Sequence, residues 1–311
     1  MSVLSLRGSP TLEDRVLFKT HLVRVGAFRC DRHHPAFHDA SAPTENFCFV
    51  FPRSAVLIEH EHERPFVANP AIMTFYNRGQ YYRRDAVSHD GDRSDWFGVD
   101  PSALMEIVEA LAPGHSPDPD HPFHISHAQT DARTYFLQRQ VFEQARLGSD
   151  VEPLVIEETV LMILERLVRQ IGPAHSPDGG LCVSPRHREL VHEAEILLSQ
   201  HFEEALSLAA VARYLQTSEY HLCRVFRRVT GRTLHHYRHE LRIRSSLERV
   251  ADSPSTLTDI AIGLGFSSHS HFTQAFRLEF GERPSRFRET IRANPLAASW
   301  IDPADARRSG P

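Results

Sequence analysis

The sequence predicts an α+β protein: a β-rich, barrel-like N-terminal part, two amphipathic helices after it, and an all-α C-terminal part with two helix-turn-helix units. Three observations predict it. Short β-favouring runs, "FCFVF" (47–51), "AVLIE" (55–59), "IMTFYN" (72–77) and "WFGV" (96–99), are separated by turn residues, the spacing of a small sandwich or barrel. Two proline- and glycine-rich breaks, "APGHSPDPDHP" (112–122) and "GPAHSPDGG" (172–180), divide the chain, the second reading as a linker. After it, Leu208, Val211, Ala212 and Leu215 recur 49 residues later as Leu257, Ile260, Ala261 and Leu264. Ser218, His221, Leu222, Phe226, Gly231, Tyr237 and Arg238 recur 50 residues later as Ser268, His271, Phe272, Phe276, Gly281, Phe287 and Arg288.

Between the breaks, "DARTYFLQRQVFEQARLG" and "EPLVIEETVLMILERLVRQIG" predict two helices, with Pro153 near the start of the second. In the second, Ile156, Val160, Ile163, Leu167 and Ile171 recur every three or four residues, and Leu154, Leu161, Leu164 and Val168 widen the stripe. A face so wide is buried on two sides, against the β-rich part or as a dimer seam formed by Ile156, Val160, Ile163 and Leu167.

Each repeat unit reads as two short helices joined by a tight turn. Ser207 and Ser218 are placed to cap the two helices of the first unit, and Gly231 to end it. Thr256-x-x-Asp259, Ser268 and Gly281 do the same in the second, with Gly265 in its turn. The change of offset from 49 to 50 falls in that turn, where an insertion is tolerated. The second helix of the first unit buries Leu222, Val225, Phe226 and Val229, leaving Tyr220, Cys223, Arg224 and Arg227 on the opposite face. In the second unit Phe272, Ala275 and Phe276 face inward, and Ser270, Thr273, Gln274 and Arg277 take the outward positions. Such faces suit a major groove, where Arg reads guanine and Gln reads adenine. The joining helix, 233–251, is about 28 Å long at 1.5 Å per residue, close to one turn of DNA. Its Arg238, Arg242, Arg244 and Arg249 are candidates for phosphate contacts or intrahelical pairs.

Charge is divided between the halves. From Ser184 to Arg292 there are 16 arginines against 13 acids, whereas Met1 to Val183 holds 17 basic against 25 acidic residues. A positive C-terminal part within an acidic chain is compatible with nucleic-acid binding. The four cysteines, Cys30, Cys48, Cys182 and Cys223, form no C-x-x-C and read as reduced thiols. No apolar stretch approaches the ~18 residues of a membrane span and no export signal opens the chain, so a cytoplasmic protein with no membrane partner is expected. His269-x-His271 is no metal clamp on a helix, since the two side chains point roughly 200° apart. No cofactor is expected.

"LSLAAVARYLQTSEYHLCRVFRRVTGRTLHHYRHELRIRSSLERV", followed by "TLTDIAIGLGFSSHSHFTQAFRLEFGERPSRFR", resembles the DNA-binding domain of AraC/XylS-type bacterial transcription regulators. Its most telling part is I-A-x-x-x-G-F-x-S-x-S-x-F-x-x-x-F-x-x-x-x-G-x-x-P-S-x-[FY]-R, met by Ile260 through Arg288. The resemblance implies a seven-helix domain with two recognition helices that contacts promoter DNA, and RNA polymerase too if the protein is an activator. Base contacts are implied for Tyr220, Cys223, Arg224, His269, Ser270, Thr273 and Gln274, and backbone contacts are expected from Arg227, Arg228, Arg238 and Arg277. Cys223 and Gln274 stand where relatives carry longer polar or cationic side chains, and Glu279 adds an acid, so the first unit is expected to bind more strongly.

"FVFPRSAVLIEH" and "RPFVANPAIMTFYNRGQYYRR" resemble the cupin-like sensor domains that precede such DNA-binding domains. That likeness implies a barrel for a small-molecule effector, with dimerising helices after it. The expected organisation is a cupin-like sensor at 1–125, dimerisation helices at 126–172, a linker at 173–184, the DNA-binding domain at 185–292 and a flexible tail at 293–311. The alternative is a cupin-type metalloenzyme or metal sensor fused to a DNA-binding domain, with His33, His34, His38, His60 and His62 as possible ligands. The glycines of the cupin metal motif are missing, so the leading expectation is a homodimeric regulator without metal or catalysis.

Overall fold

A computed structural model describes residues 10–41, 43–111, 118–148, 152–171 and 183–293. The expected linker and tail lie outside these ranges, apart from Val183, Ser184 and Ala293. The described residues begin with nine strands: β1 (Leu12–Lys19), β2 (Val23–Cys30), β3 (Cys48–Pro52), β4 (Val56–His60), β5 (Phe66–Ala68), β6 (Ile72–Tyr76), β7 (Tyr82–Ala86), β8 (Asp92–Val99) and, after helix α1 (Pro101–Leu111), β9 (His127–Gln129). They form an antiparallel six-stranded sheet, β1-β2-β8-β3-β6-β9, and a three-stranded sheet, β5-β4-β7. Within the larger sheet Phe49 stacks on Phe97 at 5.3 Å, and Phe51 meets Phe97 edge-on.

Helices α2 (Ala132–Leu147) and α3 (Pro153–Ile171) follow. Asp131 caps α2 by accepting from the Thr134 backbone N–H, and Gly148 ends it at φ 59°. The wide apolar stripe of α3 packs against α1 and α2. Ile156, Val160, Ile163 and Leu167 are at most 2% exposed within the single chain. This corrects their reading as a dimer seam: with both sides of the stripe covered internally, those four side chains have no surface to offer a second copy.

Seven helices follow among the described residues: α4 (Pro185–His201), α5 (Leu208–Tyr214), α6 (Glu219–Thr230), α7 (Leu234–Asp252), α8 (Leu257–Gly263), α9 (His269–Phe280) and α10 (Pro284–Ala293). The caps expected at Ser207, Ser218, Thr256 and Ser268 all form, each accepting from the backbone N–H three residues on. Gly231 and Gly281 end α6 and α9 at φ 72° and 80°. Two cores serve these helices unequally. The first unit, α4 and the start of α7 share one apolar cluster around Leu222, Phe226 and Leu241, which Ala71 of the N-terminal half joins. The second unit belongs to the cluster that also contains the large sheet, α2 and α3.

Charge joins the halves as well. Arg53 on the sheet side reaches Glu248 of α7 at 2.6 Å, and Arg93 pairs with the same carboxylate. Burial alone would raise the pKa of Glu248; Arg53, Arg139 and Arg93 outweigh it and hold the group down at about 2. No described helix is long and apolar enough to cross a membrane.

Candidate nucleic-acid interface

The repeat periodicity places the reading faces where the sequence predicts them. On α6, Tyr220, Cys223, Arg224, Arg227 and Arg228 are exposed, Tyr220 by 78%, while Leu222, Val225 and Phe226 are buried on the other side. On α9, His269, Ser270, Gln274 and Arg277 are exposed and Thr273 is half-buried, over buried Phe272, Ala275 and Phe276. His269 Nε2 lies 3.4 Å from Thr273 Oγ1, and His271 Nδ1 lies 3.0 Å from Ser267 Oγ, so the two histidines have separate local partners. Both helices therefore present a polar, partly cationic strip on a rigid, capped support. Glu279 sits partly buried with Arg244 as its main charged neighbour, away from the exposed strip.

The arginines of α7 have partners within the fold. Arg238, half-buried, donates to the Leu206 carbonyl at 2.8 Å. Arg242 donates to the carbonyls of Phe202, Gly265 and Glu204, the last two at 2.8 Å, and Arg249 pairs with Glu203. Arg244 is 2% exposed and donates to the carbonyls of Pro70 and Thr130 at 2.9 and 2.7 Å. A guanidinium carries five N–H donors, and orphan carbonyls at helix ends and loops satisfy them as well as phosphate does. Arg227, Arg228 and Arg277 remain as exposed candidates for backbone contacts.

A second candidate site lies between the two sheets, a cavity of about 680 Å³ walled by Phe28, Tyr76, Tyr82 and Trp96. At its polar side Arg84 donates to Asp92 at 3.0 Å, both under a tenth exposed, and the guanidinium lies 4.7 Å over the Phe28 ring. Arg84 Nε is buried without a partner. Burial raises the Asp92 carboxyl, and Arg84 works against that rise. Strand alternation gives β8 two roles: Asp92, Ser94, Trp96 and Gly98 line the cavity, while Arg93 and Asp95 face the charge cluster around Glu248 and Asp252. The resemblance implies an effector barrel, but no local pattern picks out the residues that line this cavity, which come from β1 to β8 and the segment between β2 and β3.

The histidines proposed as metal ligands do not converge. β4 ends at His60, and His62 lies beyond it at φ 66° with its side chain 91% exposed. His60 is buried instead, with Gln80 donating to its Nδ1 at 3.0 Å and Phe66, Tyr76 and Tyr82 around the ring. Among the described residues no cluster of three or more His, Cys, Asp or Glu side chains is arranged to hold a metal. Burial depresses both His60 and the nearby His127, each to about 4, and His127 adds repulsion to the His60 shift. Because the folded chain holds both neutral, their contribution is fully present above about pH 6.5 and is lost as the pH falls from there towards 4. The loss approaches about 3.5 kcal/mol for each ring at about 1.4 kcal/mol per pH unit. Melting temperature followed from pH 7 to pH 4 checks this; a slope unchanged in His127→Phe removes His127 from the account.

Residues 211–290 match the model of a helix-turn-helix domain. The chain is similar to the HTH-type transcriptional activator RhaS of Escherichia fergusonii, 27% identical over 191 residues that cover 60% of this chain and 63% of RhaS. It is similar to the regulatory protein SoxS of Escherichia coli K12, 28% identical over 105 residues, 34% of this chain and 98% of SoxS. A crystal structure of an AraC-type transcriptional regulator from Chromobacterium violaceum aligns with 36% of this chain and all of that one, at 26% identity and a TM-score of 0.33. The chain spans less than two thirds of the length of RhaS.

Proposed function

We propose that the protein is a sequence-specific transcription regulator whose C-terminal part, matched by a helix-turn-helix domain model over residues 211–290, is of the AraC type. In it, α6 and α9 enter successive major grooves of promoter DNA. The observation that supports this most directly is the pair of matched, capped units with exposed polar strips at equivalent positions. Tyr220, Cys223 and Arg224 of α6, and His269, Ser270, Thr273 and Gln274 of α9, face base edges. Arg227, Arg228 and Arg277 meet phosphates. The protein works in the cytoplasm, without catalysis, and contacts RNA polymerase if it activates.

The cavity between the sheets takes a small effector in this reading, its rings against Phe28, Tyr76, Tyr82 and Trp96 and its polar groups against Arg84 and Asp92. β8 passes the occupied state to α7, since its other face holds the arginine cluster on Glu248.

Genomic footprinting of the tagged protein gives the operator. At that operator Arg224→Ala costs about 1 to 3 kcal/mol and relaxes discrimination at one base pair. A footprint and base preference unaltered by the substitution would take Arg224 out of the reading set.

A further inference from the structure

The two helix-turn-helix units share a second matched face, and the N-terminal half occupies it in both. By the 50-residue offset, Thr230 corresponds to Phe280 and Tyr237 to Phe287. In the first unit Gln129 donates to the Thr230 carbonyl at 3.2 Å, and Asn69 Nδ2 donates to the Tyr237 hydroxyl at 2.6 Å. In the second unit the Phe136 ring of α2 stacks on Phe280 at 5.2 Å and lies 5.1 Å from Phe287. Midway between them, Arg244 of α7 docks on the carbonyls of Pro70 and Thr130, the residues next to Asn69 and Gln129. The two docking segments lie side by side, with Ile72 opposite Gln129 in the β6–β9 pairing.

Thr230 and Phe280 are the last residues of α6 and α9. A recognition helix meets bases with its N-terminal residues. Holding its far end therefore sets where it aims. We infer that the N-terminal half fixes the relative placement of the two recognition helices, with Gln129 gripping the end of α6, Asn69 reaching α6 through Tyr237 of α7 and its packing on Phe226, and Phe136 positioning α9, so that these residues determine the half-site spacing the protein accepts. The inference rests on the proposed DNA reading of α6 and α9. The joining helix α7, 19 residues long, sets a distance between the units; a helix alone leaves each unit free to pivot about its ends, and the dock removes that freedom. The two grips differ in kind. The contact at the second unit is aromatic and uncharged, whereas the first unit is held by hydrogen bonds whose donors must stay in register.

The test uses the full chain and a DNA library in which the two footprinted half-sites are moved apart or together by single base pairs. Wild type selects one spacing. Tyr237→Phe removes the hydroxyl but keeps the ring against Phe226, and Phe136→Ala removes the stacking. Each lowers the preference for the best spacing over its neighbours by about tenfold, the scale of one buried polar or packing contact. Where Phe136→Ala fails to fold, Phe136→Leu takes its place. Amide hydrogen exchange without DNA supplies the second readout: Tyr237→Phe speeds exchange at the end of α6, and the Phe136 variant at the end of α9. Equal loss of affinity at every spacing, or unchanged selectivity, would overturn the inference. If wild type selects no DNA at all, the regulator reading fails by itself, and local exchange confined to one unit per variant still decides whether the dock holds them.

Discussion

Arg139→Met destabilises the chain by about 3 to 5 kcal/mol, the cost of stranding buried charge. Arg139 is 2% exposed on α2, donates to Asp95 at 3.0 Å, pairs with Glu143, and reaches Asp252 at 3.3 Å. Asp95 and Glu143 are themselves fully buried. Burial works against the Arg139 charge, and Glu143 and Asp95 more than offset it, raising its pKa. Methionine fills much of the same volume over Phe142, whose ring the guanidinium covers at 4.9 Å, so the loss is electrostatic rather than a cavity. Removing the cation leaves two carboxylates in a low-dielectric site, with Arg53 at 3.4 Å from Asp95 and Arg146 at 2.6 Å from Glu143 as their remaining partners. Urea unfolding followed by circular dichroism measures the effect. Adding Glu143→Leu returns part of the loss, because it removes one of the stranded charges. A midpoint unmoved by Arg139→Met would show that Arg53 and Arg146 suffice to hold Asp95 and Glu143.

The parts of this molecule legible in its sequence are those governed by local rules. Ser218 and Ser268 cap, Gly231 and Gly281 terminate, and the apolar stripe of α6 buries Leu222 and Phe226, because each depends on neighbours within one helical turn. The strands β3, β4, β6 and β8 contain apolar runs and could be read. β1 could not: "LEDRVLFK" lies at a sheet edge with most of its side chains exposed, so it shows no buried face. α1 begins at Pro101 and buries little beyond Leu104 and Val108, so its pattern is faint. The stripe on α3 shows that Ile156, Val160, Ile163 and Leu167 need cover, but periodicity is silent on whether a neighbouring helix or a second copy supplies it. For the arginines of α7 the difficulty is chemical. Phosphate and carbonyl oxygens accept from a guanidinium alike, and the carbonyls of Pro70 and Thr130 lie 174 and 114 residues away in sequence. His60 shows the same limit, since H-x-H implies a shared face only if the strand continues, and β4 ends at His60.

Gly265→Ala costs about 3 kcal/mol or more, combining left-handed backbone strain with overlap that cannot relax. Gly265 and its counterpart in the first unit, Gln216, occupy the same place in their turns, with φ of 76° and 51°. The turns match in their hydrogen bonds: Thr217 N–H donates to the Ala212 carbonyl and Phe266 N–H to the Ala261 carbonyl, both at 2.9 Å. The first unit accepts a side chain there because Gln216 is exposed. In the second, a Cβ on Gly265 would lie 2.2 Å from the Glu203 carbonyl oxygen and 2.6 Å from Arg242 Nη2. The carbonyl is backbone and cannot swing away, and displacing Arg242 also uncaps the carbonyls of Phe202 and Glu204. Gln216→Ala keeps the positive φ and meets no such wall, so its cost stays within about 0.5 kcal/mol, as for most exposed substitutions. Gln216 already bears the left-handed strain, so the difference between the two thermal melts reports the strain and overlap that a Cβ adds at Gly265. Equal shifts for Gly265→Ala and Gln216→Ala would mean that Arg242 and the α4–α5 loop yield freely, and that the second unit is held to the joining helix less tightly than its hydrogen bonds indicate.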